Sequence, residues 1–147
     1  MSPFSIRIRE EVLATFPEWS AFAVEQAFKG SGPYLVVTVP APPEAKSDHP
    51  LRISTWDDEV TVEFDYYHTH FDRWNPVEGD NRHTSALFYV KSVLDEKVAV
   101  ASWWQEEACK VCSQLEPGES LKPPLDVVYS RVRVRSWRGS HNADSDA

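Results

Sequence analysis

"LRISTWDDEVTVEFDYYHTHFD", residues 51–72, decides the fold. Leu51, Ile53 and Thr55 alternate with other neighbours, "WDDE" supplies turn chemistry, and alternation resumes from Glu59 to Phe71. A period of two on both sides of a polar turn predicts a β-hairpin. Parity then assigns faces, because successive side chains on a strand point opposite ways. Val60, Val62, Phe64 and Tyr66 are expected to face a core, and Glu59, Thr61, Glu63 and Asp65 to face out. A 13-residue strand would run about 40 Å, well past the usual length. Parity also assigns His68 and His70 to the apolar side with Tyr66, but a bulge or bend near Tyr66–Tyr67 is expected, and it could re-aim both histidines.

Working outward, "SIRIREEVLAT" (5–15) predicts a helix closed by Pro17, with Ile6, Val12 and Leu13 as its apolar stripe. Residues 21–28 fit helix and strand equally. "YLVVTV" (34–39) predicts a strand, since β-branched residues dominate it. "PAPPEAKSDHP" (40–50) holds four prolines and reads as a surface connection. Residues 81–96 predict a helix with Leu87, Val90, Val93 and Leu94 at helical spacing. Strands are expected at 97–104, 107–115 and 125–137. On the last, Val128, Val132 and Val134 would face in, and Arg131, Arg133 and Arg135 out. The acidic stripe of 59–65 and this arginine stripe predict two neighbouring strands joined by ion pairs. The fold class is α+β: a single domain over 1–138, a mostly antiparallel sheet of about five or six strands covered by one or two helices. A polar tail, 139–147, is expected to be disordered.

The chain has 147 residues, 41% of them apolar, with six tryptophans and a formal charge of −8. That length can bury a core unaided. The acidic balance, with pI ≈ 5.1, argues against a nucleic-acid partner and suits a basic protein one. No apolar run approaches the ~20 residues of a membrane helix, and the N-terminal residues lack a signal-peptide pattern. Two cysteines and no export signal make the cytoplasm the expected compartment.

His68 and His70, at i and i+2, point the same way and could grip zinc or another divalent metal, with Asp72 or His83 as a third ligand. The competing reading is a histidine pair hydrogen-bonded at the sheet's end, with no cofactor. "CKVC" (109–112) falls in a strand-like run, where i and i+3 point to opposite faces. That favours inert thiols over redox chemistry. No nucleophile elbow or phosphate loop occurs, so a binding protein is favoured over an enzyme and no catalytic residue is assigned. Adjacent Trp103 and Trp104 cannot both be core in a sheet covered on one face. The candidate partner-binding set is His68, His70, Asp72, Trp74, Trp104, Trp137 and Arg138, because aromatics and arginine beside charge are favoured anchors.

The proline-rich connection, "LRIST…DEVTVEFDYYHTHF", "LDEKVAVASWW" and the terminal "VRVRSWRG" together resemble small bacterial immunity proteins of polymorphic-toxin systems, over residues 34–138. The resemblance implies a cytoplasmic antitoxin that neutralises a toxin domain by direct binding. Carboxylates filling the groove of a basic nuclease would suit the charge. It transfers no residue-level site. The alternatives are a metal-dependent enzyme centred on His68 and His70, and a domain without catalytic activity.

Overall fold

A computed structural model describes residues 1–79 and 84–146. The α+β class with antiparallel sheets holds. The residues gather in two compact units, each built from three chain segments.

The first unit comprises Met1–Pro40, Pro50–Glu63 and His68–Val90. Helix α1, Pro3–Thr15, begins where Ser2 accepts the Ser5 N–H on its hydroxyl, at 3.1 Å, and where a proline suits the first turn. Its buried face is Ile8 and Val12, four residues apart. Ile6, expected in that stripe, is exposed. A 3₁₀ turn, Pro17–Phe22, follows, with Trp19 stacked on Phe16 at 3.9 Å. It leads into β1, Ala23–Gln26, which settles the ambiguous stretch 21–28 as part 3₁₀ turn and part strand.

Strands β2 (Tyr34–Val39), β3 (Leu51–Ser54), β4 (Val60–Phe64) and β5 (Tyr67–Phe71) complete a five-stranded sheet in the order β1-β2-β3-β4-β5. Val37, Ile53 and Val62 stand in register across three strands and are fully buried. The expected hairpin is β3–β4. The expected bend is a complete reversal: Asp65 takes φ 53° and the chain turns back into β5. Parity therefore restarts at Tyr67, which leaves His68 and His70 exposed instead of on the apolar side. Helix α2, Ala86–Leu94, starts later than residue 81 predicted, and its first amides donate to the carbonyls of Arg73 and Trp74.

The second unit comprises Ala41–His49, Phe64–Tyr67 and Lys91–Ala147. Strands β6 (Ala99–Gln105), β7 (Ala108–Leu115), β8 (Arg131–Arg135) and β9 (Ala143–Asp146) form a sheet in the order β7-β6-β8-β9. One face carries the core cluster Ala99, Ala101, Trp103, Val132 and Val134. The last predicted strand is shorter than 125–137: Val128, expected to face in, is 76% exposed.

Two expectations fail here for one reason. β8 lies beside β6 and β9, so its arginines do not pair with the acidic stripe of 59–65. Their partners come from the stretch expected to be a disordered tail: Asp144 stands opposite Arg133 and Asp146 opposite Arg131. Alternating aspartates in "ADSD" match alternating arginines in "RVRVR", which gives a poor strand former a reason to pair. Glu63 instead bonds Arg52 on the adjacent strand at 2.9 Å. Arg133 and Arg135, expected to face out, are buried at 9% and 7% exposure. Nearby, Gly139 at φ 80° is obligatory: a Cβ there would lie 2.2 Å from the Glu44 carbonyl oxygen. Among the described residues, no helix is long and apolar enough to cross a membrane.

Candidate functional site

Three places bring chemistry-bearing side chains together. The first is the histidine pair on β5. His68 and His70 are exposed on the same face with ring centroids 5.3 Å apart. His70 Nδ1 lies 2.8 Å from Thr61 Oγ1 and 3.5 Å from a Glu59 carboxylate oxygen. His70 also lines an open depression with Glu59 and the exposed Asp72. Among the described residues, no group of three histidine, cysteine or carboxylate side chains could hold a metal. His83, the other expected ligand, lies outside the described residues.

The second place is the face of the four-stranded sheet opposite its core cluster. Arg133 Nη1 donates to Asp48 Oδ2 at 2.9 Å, and the Tyr66 hydroxyl donates to the same oxygen at 2.6 Å. These bonds, Arg133 first, hold the Asp48 carboxyl below its ordinary range. Burial, then the bond to Asp48, pushes the Tyr66 phenol up to about 12. Tyr66 meets Trp104 edge-on at 4.9 Å, and the Arg131 and Arg133 guanidinium carbons lie 4.9 and 5.4 Å from the Trp104 ring centroid. Asp65, expected to face out, is 4% exposed. Its Oδ1 accepts the Asp48 amide at 2.8 Å while Oδ2 has no hydrogen-bond partner among the described residues, and burial raises its pKa.

This face explains the tryptophan pair. Trp103 and Trp104 are 1% and 6% exposed, so the sheet is covered on both sides at that point. It also corrects the cysteines. The β6–β7 register shifts by one residue between Trp103 and Trp104, leaving Lys110 as a bulge. Cys109 pairs with Trp104 and Cys112 with Ser102, so both thiols share one face instead of opposing faces. The Cys112 thiol donates to the Tyr66 carbonyl at 2.9 Å. Burial raises the pKa of both, which keeps them protonated and slow to react.

Of the remaining candidate anchors, Trp74 is fully buried, its Nε1–H 3.3 Å from Thr15 Oγ1. With Trp104 it is a packing residue, not a presented surface. Trp137 is half-buried against Phe64. Arg138 is exposed and lies 3.5 Å from the buried Glu96 carboxylate. Burial pushes Glu96 up, but bonds from Ser140, Ser136 and the Arg138 amide outweigh it and hold it at about 2. Glu96 thus fastens the 138–140 loop, a structural duty.

The third place was read from sequence only as a turn. Trp56 is 41% exposed and meets Phe28 and Tyr34 edge-on at 5.5 and 5.3 Å. Phe28 is 60% exposed and Val24, on the edge strand β1, 54%. Asp57 and Asp58 follow at φ 57° and 53°, consecutive left-handed residues without a glycine. Such strain is held in place by its surroundings and collects at binding surfaces. A cleft of about 270 Å³ opens here, with Tyr34, Trp56, Asp57 and Asp58 among its walls. The signal available in the sequence was a tryptophan inside a turn, where core packing does not call for one.

No protein-family model matches the chain, and comparison with curated proteins and with solved structures finds no match.

Proposed function

We propose that this chain is a small acidic binding protein of the immunity type, acting in the cytoplasm by direct attachment to a basic protein such as a toxin domain. The observation that carries this reading is the exposed aromatic cluster Phe28–Trp56 beside Asp57 and Asp58. Aromatic side chains supply contact area at low entropic cost, and carboxylates around them select a cationic partner. A second support is negative: Arg133 and Arg135 of β8, which could have offered an anionic ligand a landing site, are turned inward and bonded within their own unit. Enzymatic readings have less to stand on, since the Asp48–Tyr66–Arg133 cluster is accounted for by packing.

The direct test is co-purification, at physiological salt, with the secreted protein encoded beside this gene. A complex at micromolar concentration or tighter supports the proposal. Absence of any complex, together with no protection of cells expressing that neighbour, would remove it.

A further inference from the structure

We infer that the cleft beside Trp56 is an arginine pocket, which receives one guanidinium side chain from a basic protein partner. The inference rests on the binding reading above and names the group that the surface selects.

The size of the cleft comes first. Its volume of about 270 Å³ lies at the small end of ligand-sized pockets, which run from roughly 300 to 1,000 Å³. One long side chain fits such a space. The chemistry of the walls comes second. Pro33, Tyr34 and Trp56 form the apolar part, four serine and threonine hydroxyls add donors and acceptors, and Asp57 and Asp58 supply charge; among the described residues no lysine, arginine or histidine lines it. The occupant must therefore have an apolar stem and a cationic head.

One of the carboxylates has an ordinary explanation. Asp58 accepts a hydrogen bond from the Ser2 hydroxyl at 3.0 Å, beside the first turn of α1. A helix N-terminus carries about half a positive charge, and Asp58 offsets it. Asp57 has no such duty. Among the described residues it makes no hydrogen bond or ion pair, and it holds a left-handed backbone that asparagine or glycine would adopt with less strain. Two carboxylates against about half a positive charge leave the cleft clearly anionic. Arginine fits better than lysine. Its flat guanidinium stacks on aromatic surface and donates to two carboxylates at once, and it gives up hydration more readily than an ammonium.

The test uses the intact chain labelled with nitrogen-15, titrated with acetyl-arginine-amide and, separately, with the neutral acetyl-citrulline-amide. Six indole N–H resonances are available, one per tryptophan. The expected result is that the indole signal missing from a Trp56→Phe variant moves with the arginine probe and stays still with citrulline. Asp57→Asn should weaken that binding by about threefold or more, in line with the loss of one carboxylate contact at a solvated site. An unmoved Trp56 signal, or equal movement with both probes, would overturn the inference. The Trp56→Phe and Asp57→Asn variants are also to be measured against the partner protein of the co-purification experiment. Unchanged affinity there sinks the arginine pocket and leaves the binding reading intact. A wild-type chain that ignores the partner yet takes the arginine probe leaves the pocket standing and sinks the choice of partner.

Discussion

Arg133 donates to Asp48 at 2.9 Å with its own side chain only 10% exposed, whereas Arg52 donates to Glu63 at the same 2.9 Å with 33% exposed. Distance does not separate these pairs; burial does. Removing one member of a buried pair strands the other charge, at a cost of about 3–5 kcal/mol, while exposed pairs contribute about 0–1 kcal/mol. Asp48 is itself 42% exposed, so the informative variant is Asp48→Ala, which strands the buried Arg133 guanidinium and takes the acceptor from the Tyr66 hydroxyl; it is expected to destabilise by about 2 kcal/mol or more. Arg52→Ala should cost about 1 kcal/mol or less. Urea denaturation of the two variants, with equal m-values, gives the comparison. Similar losses from both would contradict the assignment.

Stability should respond to acid in a defined window. Glu96 has its folded pKa depressed from 4.5 to about 2. The stability it contributes is present above the unfolded value and disappears as pH falls from about 4.5 to about 2, on the order of 3 kcal/mol in total. Asp48 acts in the same direction. Glu96→Gln should flatten the decline of melting temperature in this range. A wild-type steepness in that variant would remove Glu96 from the account.

Asp65 has the opposite sign. Its folded pKa is raised, so the folded state holds its proton more tightly and loses stability as pH climbs above the unfolded value of 3.8. Asp65→Asn keeps an oxygen for the Asp48 amide, removes a buried charge, and tolerates φ 53° better. It is expected to raise stability at pH 7 by about 1 kcal/mol and to have little effect near pH 3. Denaturant midpoints at the two pH values decide the matter.

The cysteines should be protected. Both thiols are part-buried, and Cys112 is anchored to the Tyr66 carbonyl. At pH 8, a thiol-disulfide reagent is expected to label them more slowly than free cysteine, since both thiols are part-buried and the thiolate fraction falls with each raised pKa. Full labelling should follow addition of urea. Labelling at the free-cysteine rate in the native chain would show that the bulged edge opens readily.

His68 and His70 are exposed and only two, with no third donor among the described residues. Protein purified without a histidine tag is expected to hold well under one equivalent of zinc, and His68→Ala with His70→Ala should leave unfolding unchanged within about 0.5 kcal/mol. Stoichiometric metal retained through dialysis would revive the metal reading.

Much of the five-stranded sheet was legible because its strands obey local rules. β2 is a β-branched run, and β3 and β4 alternate around a polar turn, so composition and period agree with tertiary placement. The reversal after Phe64 was not legible, because Asp65 enters the left-handed region without glycine or an Asn-Gly pair to announce it. β9 was missed for a different reason. "ADSD" has no strand propensity, and its pairing depends on arginines ten or more residues earlier. Trp103 and Trp104 were judged against a sheet covered on one face, and only long-range topology shows a second layer. The cleft at Trp56 depends on strand β2 approaching the 55–58 turn, which sequence spacing cannot convey.

The placement of β9 has a consequence for how the chain is made. The first unit is complete by Val90, whereas the second needs Asp144, the carboxylate partner of Arg135, on its last strand. During synthesis the first unit can therefore fold while the ribosome is still working. The second must wait, with Arg135 still lacking its carboxylate, until β9 has emerged, a period in which its unpaired strand edge is exposed.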